Sequence, residues 1–217
     1  MTSTGRRRSF YARFAKRPLD IIFALLGLLF AFPFILVAGI FIKIDTPGPV
    51  FFIQERIGYK CRKFKLYKLR TMDTREFDAQ GKKIRDRNRV TRVGRVIRKL
   101  SIDEFPQFLN ILKGDMSFIG PRPLVLRYLP YYTDEELKRH DVRPGITGLA
   151  QVNGRAYLQW EDRFAFDLEY VDNISFCMDV HILLKTFRSL VKREGTSTIR
   201  PDSLVDFDVY RKDAKQR

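Results

Sequence analysis

The sequence predicts a mostly helical fold with a small β-hairpin (α+β), attached to a membrane by a proline-broken re-entrant helix and amphipathic surface helices. Three observations carry that expectation. Leu19 to Ile42 is apolar apart from Asp20. Two short strand-like runs follow, on either side of a glycine-bearing loop. Further on, apolar residues recur at three-to-four spacing with basic residues around the same turns. The length suits one domain with a substantial core.

As a straight helix, the charge-free run from Ile21 to Ile42 would reach about 33 Å, enough for a bilayer core of about 30 Å. It is too long for a signal peptide, and no small-residue cleavage site follows cleanly. Arg6, Arg7, Arg8, Arg13, Lys16 and Arg17 precede it, and Lys43, Arg56, Lys60, Arg62, Lys63 and Lys65 follow. Basic flanks stay on the cytoplasmic side, so both ends read as cytoplasmic. Pro33, near the centre, removes a helical hydrogen bond. Each arm then reaches about 17 Å, about half the core. A re-entrant hairpin satisfies all three observations. A kinked spanning helix is the rival that proline alone permits.

Thr46-Pro47-Gly48-Pro49 ends this segment with turn chemistry. Val50–Gln54 and Phe64–Leu69 read as strands of a hairpin around a loop containing Gly58. Asp73–Arg89 reads as a surface loop or a short exposed helix. Val90, Val93, Ile97 and Leu100 then form an apolar stripe, with Arg92, Arg95, Arg98 and Lys99 around it. Such a basic amphipathic helix suits either solvent or anionic headgroups.

Ser101-Ile102-Asp103-Glu104 precedes an apolar helix-like segment, Phe105–Leu112. Ser-x-x-Glu there has the form of a capping box, in which Ser101 accepts from the third helical N–H and Glu104 reaches back to the Ser101 N–H. A glutamate folded onto Ser101 could not fully engage a metal, and Glu104 is expected to point to the ion instead. Lys113-Gly114-Asp115 is a helix stop. In Gly120-Pro121-Arg122-Pro123, two prolines fix the backbone on either side of a guanidinium. Thr133-Asp134-Glu135-Glu136 starts a helix after the aromatic run Leu124–Tyr132, and His140 reads as structural or surface. Arg143–Gly148 is a glycine-bearing loop without the Gly-Lys-Ser/Thr ending of a phosphate loop. Gln151, Asn153 and Arg155 alternate with Val152 and Gly154, so an extended chain would put all three on one face. Tyr157–Val171 is amphipathic around Trp160. Val180, Leu183, Leu184, Phe187, Leu190 and Val191 make a stripe for which core packing is the default and membrane docking second. After Gly195 the tail is expected to be loosely ordered.

Lys and Arg outnumber Asp and Glu 41 to 25, for a net charge of +16, so the partners should be polyanions. Two cysteines and two histidines make neither a disulfide framework nor a zinc site, and point to a reducing, cytoplasmic compartment. No nucleic-acid motif accompanies the charge. A phosphate-handling enzyme at the membrane surface fits better. Asp103 and Glu104 would point about 100° apart on a helix and so cannot share a job. One can face phosphorus while the other holds a metal, and helix-start N–H groups favour a phosphate beside them. Arg98, Arg122 and Arg155 supply positive charge. A non-enzymatic basic membrane adaptor is the competing function, but it needs no acid pair between turn-fixed arginines.

Lys68-Leu69-Arg70-Thr71-Met72, Ser101–Glu104, the run from Lys113 to Pro123 and the run from Arg143 to Arg155 together resemble the bacterial sugar transferases, the monotopic phosphoglycosyl transferases. The resemblance covers roughly residues 16–195. It implies transfer of a sugar phosphate from a UDP-sugar to a polyprenol phosphate, typically undecaprenyl phosphate, with Mg²⁺ and release of UMP. Asp103 would be the nucleophile and Glu104 its partner, the two being the metal ligands. Arg98, Arg122, Arg155 and Lys68 would hold phosphates, with Gln151 and Asn153 as further substrate contacts. The implied layout is a basic segment 1–18, a re-entrant helix 19–42 broken at Pro33, a cytoplasmic catalytic domain 43–195 and a tail 196–217. The setting would be the cytoplasmic face of the bacterial inner membrane, with anionic lipid and later glycosyltransferases as partners and no nucleic acid. Phe32 stands where the family often has serine, so no hydroxyl is available to bond the carbonyls freed at the break.

Overall fold

The computed structural model describes residues 9–77, 80–82, 84–154, 158–192 and 205–215. One long helix, α1 (Lys16–Asp45), runs along the rest of the chain, with Pro33 inside it and a π-helical turn, Tyr11–Ala15, before it. Ala24, Ala31 and Ala38 are buried along its inner side. Their seven-residue spacing puts them on one stripe. Small residues there let the domain come close: a Cβ on Gly27 would lie 3.1 Å from the Phe108 ring, and one on Gly39 3.3 Å from Val50. The outer side carries exposed Ile22, Phe23, Leu26, Leu29, Phe30, Phe32 and Phe41. Small residues inside and large apolar ones outside reverse the pattern of a water-soluble surface helix.

Both ends of α1 are tied to the same domain. Arg17 donates to the carbonyls of Ile111 (2.7 Å) and Leu112 (3.2 Å). Buried Asp20 accepts from Ser117 Oγ (3.0 Å) and from the Phe118 N–H (3.1 Å). At the far end Asp45 accepts from the Val93 N–H at 3.1 Å. The apolar contacts follow: Ala24 joins Leu66, Ile111 and Met116, and beyond Pro33, Ala38 and Ile42 join Leu69 and Ile97.

The expected hairpin is present as β1 (Phe51–Ile57) and β2 (Lys63–Leu69), antiparallel with Phe51 opposite Leu69 and Ile57 opposite Lys63. Buried Arg70 closes the preceding Pro-Gly turn by donating to the carbonyls of Thr46, Pro47 and Pro49. The polar stretch after it contains the four-residue helix α2 (Asp86–Arg89), and α3 (Arg92–Lys99) is capped by Thr91, whose hydroxyl accepts from the Gly94 N–H. Gly94 is required there, because a Cβ would stand 2.0 Å from the Thr71 carbonyl oxygen. In α3 Ile97 is buried, but Leu100, expected on the inner stripe, is exposed just past the helix end.

Helix α4 (Gln107–Lys113) stops at Gly114, which takes the left-handed conformation (φ 90°) of a glycine C-cap. From α4, buried Asn110 accepts from the Tyr67 N–H and donates to the Lys65 carbonyl, satisfying one edge of β2. Strand β3 (Ser117–Ile119) pairs in parallel with β4 (Gly145–Thr147), so the glycine-bearing loop contains a strand. Between them α5 (Asp134–Leu137) opens with a complete capping box, Thr133 and Glu136.

Three expectations are corrected. Residues 151–153 are not extended: α6 (Leu149–Val152) contains Gln151, and the Asn153 amide donates to the Leu149 carbonyl one turn back. The stripe on α8 (Phe176–Val191) is not core, since Leu183, Leu184 and Phe187 are 46%, 66% and 69% exposed while Ile182 and Asp179 face inward. Within the tail, where residues 205–215 are described, Phe207–Lys215 forms α9. Its Phe207 is fully buried among Tyr128, Trp160 and Phe164, the last two from α7 (Trp160–Asp172). Asp206 and Arg211 pair with Arg127 and Glu136. One large aromatic side chain filling a hole outweighs the polar composition around it.

Candidate active site

Four of the expected residues converge from three separate elements. Lys68 is next to last in β2. Asp103 and Glu104 lie in a 3₁₀ turn, Ile102–Glu104. Arg122 stands in the proline-flanked turn after β3. The Lys68 ammonium bonds Glu104 Oε1 at 2.8 Å and lies 3.9 Å from Asp103 Oδ2. The Arg122 guanidinium is 3.6 Å from the same Glu104 oxygen. Arg98 reaches the segment just past β2, donating from Nε to Thr71 Oγ1 at 2.7 Å.

The local backbone differs from a capping box. Ser101 is left-handed (φ 56°) and makes no side-chain cap. Glu104 does not fold back; its carboxylate goes to Lys68, and only its N–H contacts Ser101, at the carbonyl (3.3 Å). Helix α4 begins later, with Pro106 at its N-cap. The acids therefore sit on a separate turn, one turn before α4 starts, and the expected helix-start seat for a phosphate is not formed around them.

The two carboxylates are held in opposite electrostatic states. Burial opposes ionisation of Glu104, but Lys68 and Arg122 outweigh it and hold its carboxyl at about 2. Asp103 moves the other way: burial comes first, Lys68 and the arginines compensate only in part, and the charge of Glu104 adds to the rise. Adjacent carboxyls pushed apart in this way divide their roles, one a fixed anion and the other a more basic oxygen nucleophile.

Remaining candidates lie elsewhere. Gln151 donates to the Ile146 carbonyl while its Oε1 is buried without a partner, and Asn153 Oδ1 accepts from Lys185 at 3.0 Å. Arg155 lies outside the described residues. Pro33 lies within α1. Among the described residues no three His, Cys, Asp or Glu side chains form a ligand cluster. A pair of carboxylates nonetheless suits Mg²⁺, which usually takes one or two from protein and the rest from phosphates and water. Arg139 was not foreseen: its guanidinium donates to the Arg122 carbonyl at 2.8 Å while paired with Asp167. A lone basic residue in a charged run gives no sequence signal for such a role.

Residues 11–193 match the family described as bacterial sugar transferase. The "Uncharacterized sugar transferase EpsL" of Bacillus subtilis is 52% identical over 154 residues, 71% of this chain and 76% of that protein. The "UDP-glucose:undecaprenyl-phosphate glucose-1-phosphate transferase" of Caulobacter vibrioides is 44% identical over 192 residues, covering 83% of this chain and 71% of that one. An Aeromonas hydrophila protein named "UDP-N-acetylgalactosamine-undecaprenyl-phosphate N-acetylgalactosaminephosphotransferase" is 42% identical over 84% of this chain, which spans only 45% of it.

Proposed function

This chain belongs to the bacterial sugar transferase family, and on that premise we propose that it moves a sugar 1-phosphate from a UDP-sugar to a polyprenol phosphate such as undecaprenyl phosphate, releasing UMP. The observation that carries the reading is the division between Asp103 and Glu104 around Lys68. An Asp103 oxygen attacks the sugar-bearing phosphorus and the bond to the nucleotide phosphate breaks, its electron pair leaving with UMP. The resulting aspartyl phosphosugar is then attacked by the polyprenol phosphate oxygen, which restores the carboxylate. Lys68 and Arg122 place positive charge on the phosphate oxygens, with Arg98 anchored nearby on Thr71. Arg155 remains a candidate phosphate contact. Glu104 and Asp103 would hold Mg²⁺, whose contribution when bound is to neutralise phosphate charge.

The proposal extends to the membrane. Both ends of α1 are bonded to one domain and its outward face is apolar, which supports seating in a single leaflet, with any bend at Pro33 taken up inside the one continuous helix. The site would then face the cytoplasm at the inner membrane, beside anionic headgroups, and hand its lipid product to later glycosyltransferases. Screening UDP-sugars for UMP release by the membrane-reconstituted chain tests the reading. Asp103→Asn should lower release by ~10³-fold or more; release unchanged in that variant overturns it.

A further inference from the structure

Beside the site lies one arginine that the catalytic reading does not use. Cross-strand partners in an antiparallel pair share a face. Lys68 is opposite Phe52, Leu66 opposite Gln54 and Phe64 opposite Arg56, so Lys68, Gln54 and Arg56 project from the same face of the hairpin. Arg56 also forms an isolated antiparallel bridge with Val125, and the Ile57 N–H bonds the Leu124 carbonyl at 3.0 Å. These contacts clamp the Arg56 end of β1 onto the segment that follows Arg122.

The Arg56 side chain is incompletely satisfied. One terminal nitrogen donates to Gln54 Oε1 at 2.5 Å, but Nε is buried and has no partner. Among the described residues Arg56 forms no salt bridge. Burial, and then the neighbouring charge of Arg122, push it down to about 10, so at neutral pH it is still a cation facing a cation. A buried N–H without an acceptor beside a like charge calls for an anion.

We propose that Arg56 and Arg122 form a second anion seat that takes the nucleotide phosphate of the sugar nucleotide as it becomes a free monoester. The inference rests on the reaction proposed above and adds a residue to it. When the Asp103 oxygen bonds the sugar-bearing phosphorus, the bridging oxygen leaves on the nucleotide phosphate. That phosphate goes from one negative charge to two, while the carboxylate charge is consumed. Charge therefore accumulates on the nucleotide side, away from Asp103. Lys68 and Arg122 both already approach Glu104 Oε1, at 2.8 and 3.6 Å. Arg56 is a further cation beside them, with a buried Nε–H that has no partner.

The test is equilibrium binding of UMP, and separately of a short-chain polyprenyl phosphate, to the full chain in nanodiscs without turnover. Arg56→Met should weaken UMP binding by about tenfold or more, because a charge-assisted bond is lost, and leave polyprenyl phosphate binding within twofold. Arg56→Lys, which keeps the charge, should recover part of the loss and serves in its place should Arg56→Met not fold. Unchanged UMP affinity in Arg56→Met overturns the seat, as does a loss confined to polyprenyl phosphate. A wild type that binds UMP in an Arg56-dependent way yet releases none from any UDP-sugar refutes the reaction and leaves the seat. Turnover with UMP binding indifferent to Arg56 refutes the seat alone.

Discussion

Two clusters of charge lie close together in this molecule and behave in opposite ways. In the first, the Arg139 guanidinium, 1% exposed, grips Asp167 with two bonds of 2.9 and 2.7 Å and gives another to the Arg122 carbonyl. His140 stands beside it, with burial and then Arg139 driving its imidazole down to about 3. This cluster is closed: all three side chains are buried. In the second, Lys68 and Arg122 both lie against one Glu104 oxygen while Asp103 has only Lys68, at 3.9 Å, and side-chain exposure rises to 48% at Arg122. A closed cluster holds the fold; an open one with an under-compensated carboxyl is built for chemistry. They meet at Arg122, whose backbone belongs to the first and whose side chain belongs to the second.

Breaking the closed cluster should have the largest effect. Asp167→Ala strands a buried guanidinium and should destabilise the protein by about 3–5 kcal/mol in denaturant melts. A loss under about 1 kcal/mol would mean that the pair is no structural core. Arg122→Ala attacks the shared residue from its open side. It should cut UMP release on the order of 10²–10³-fold, with the melting temperature nearly unchanged because the carbonyl bonded by Arg139 is still there. An equal fall in stability and rate would merge the two clusters into one.

A smaller, directional effect concerns pH. Asp103 must be ionised to attack, and its carboxyl titrates above the ordinary aspartate range, so the rate should fall as pH drops through that raised value. Lys68 is the cation that most lowers Asp103. Lys68→Met should therefore raise the Asp103 value further and move the acid limb of UMP release to higher pH. A limb that stays in place would free Asp103 from the role.

Much of the fold was legible in the sequence. The hairpin announced itself through Val50–Gln54 and Phe64–Leu69, and Lys113-Gly114 through the glycine stop. The convergence of Lys68, Asp103, Glu104 and Arg122 rested on the motif resemblance, since nothing local links residues so far apart. What stayed hidden depends on distant partners. Ser-x-x-Glu reads as a cap until Lys68 takes the glutamate, and the true box is at Thr133 and Glu136. Phe207 is indistinguishable from a tail residue until it meets Trp160 and Phe164. Three-residue strands such as β3 and β4 are too short for alternation to register. The exposed stripe on α8 shows the same limit, because periodicity finds an apolar face without saying what covers it.

Everything turns on whether Asp103, and not its salt-bridged neighbour, carries the sugar phosphate. The direct measurement is mass spectrometry of the reconstituted chain after incubation with a UDP-sugar and no lipid acceptor, followed by peptide mapping. The account predicts a phosphosugar adduct on Asp103 that still forms, at a reduced level, in Glu104→Gln and is discharged by polyprenol phosphate. An adduct on Glu104, or UMP release and transfer with no adduct at all, would contradict it.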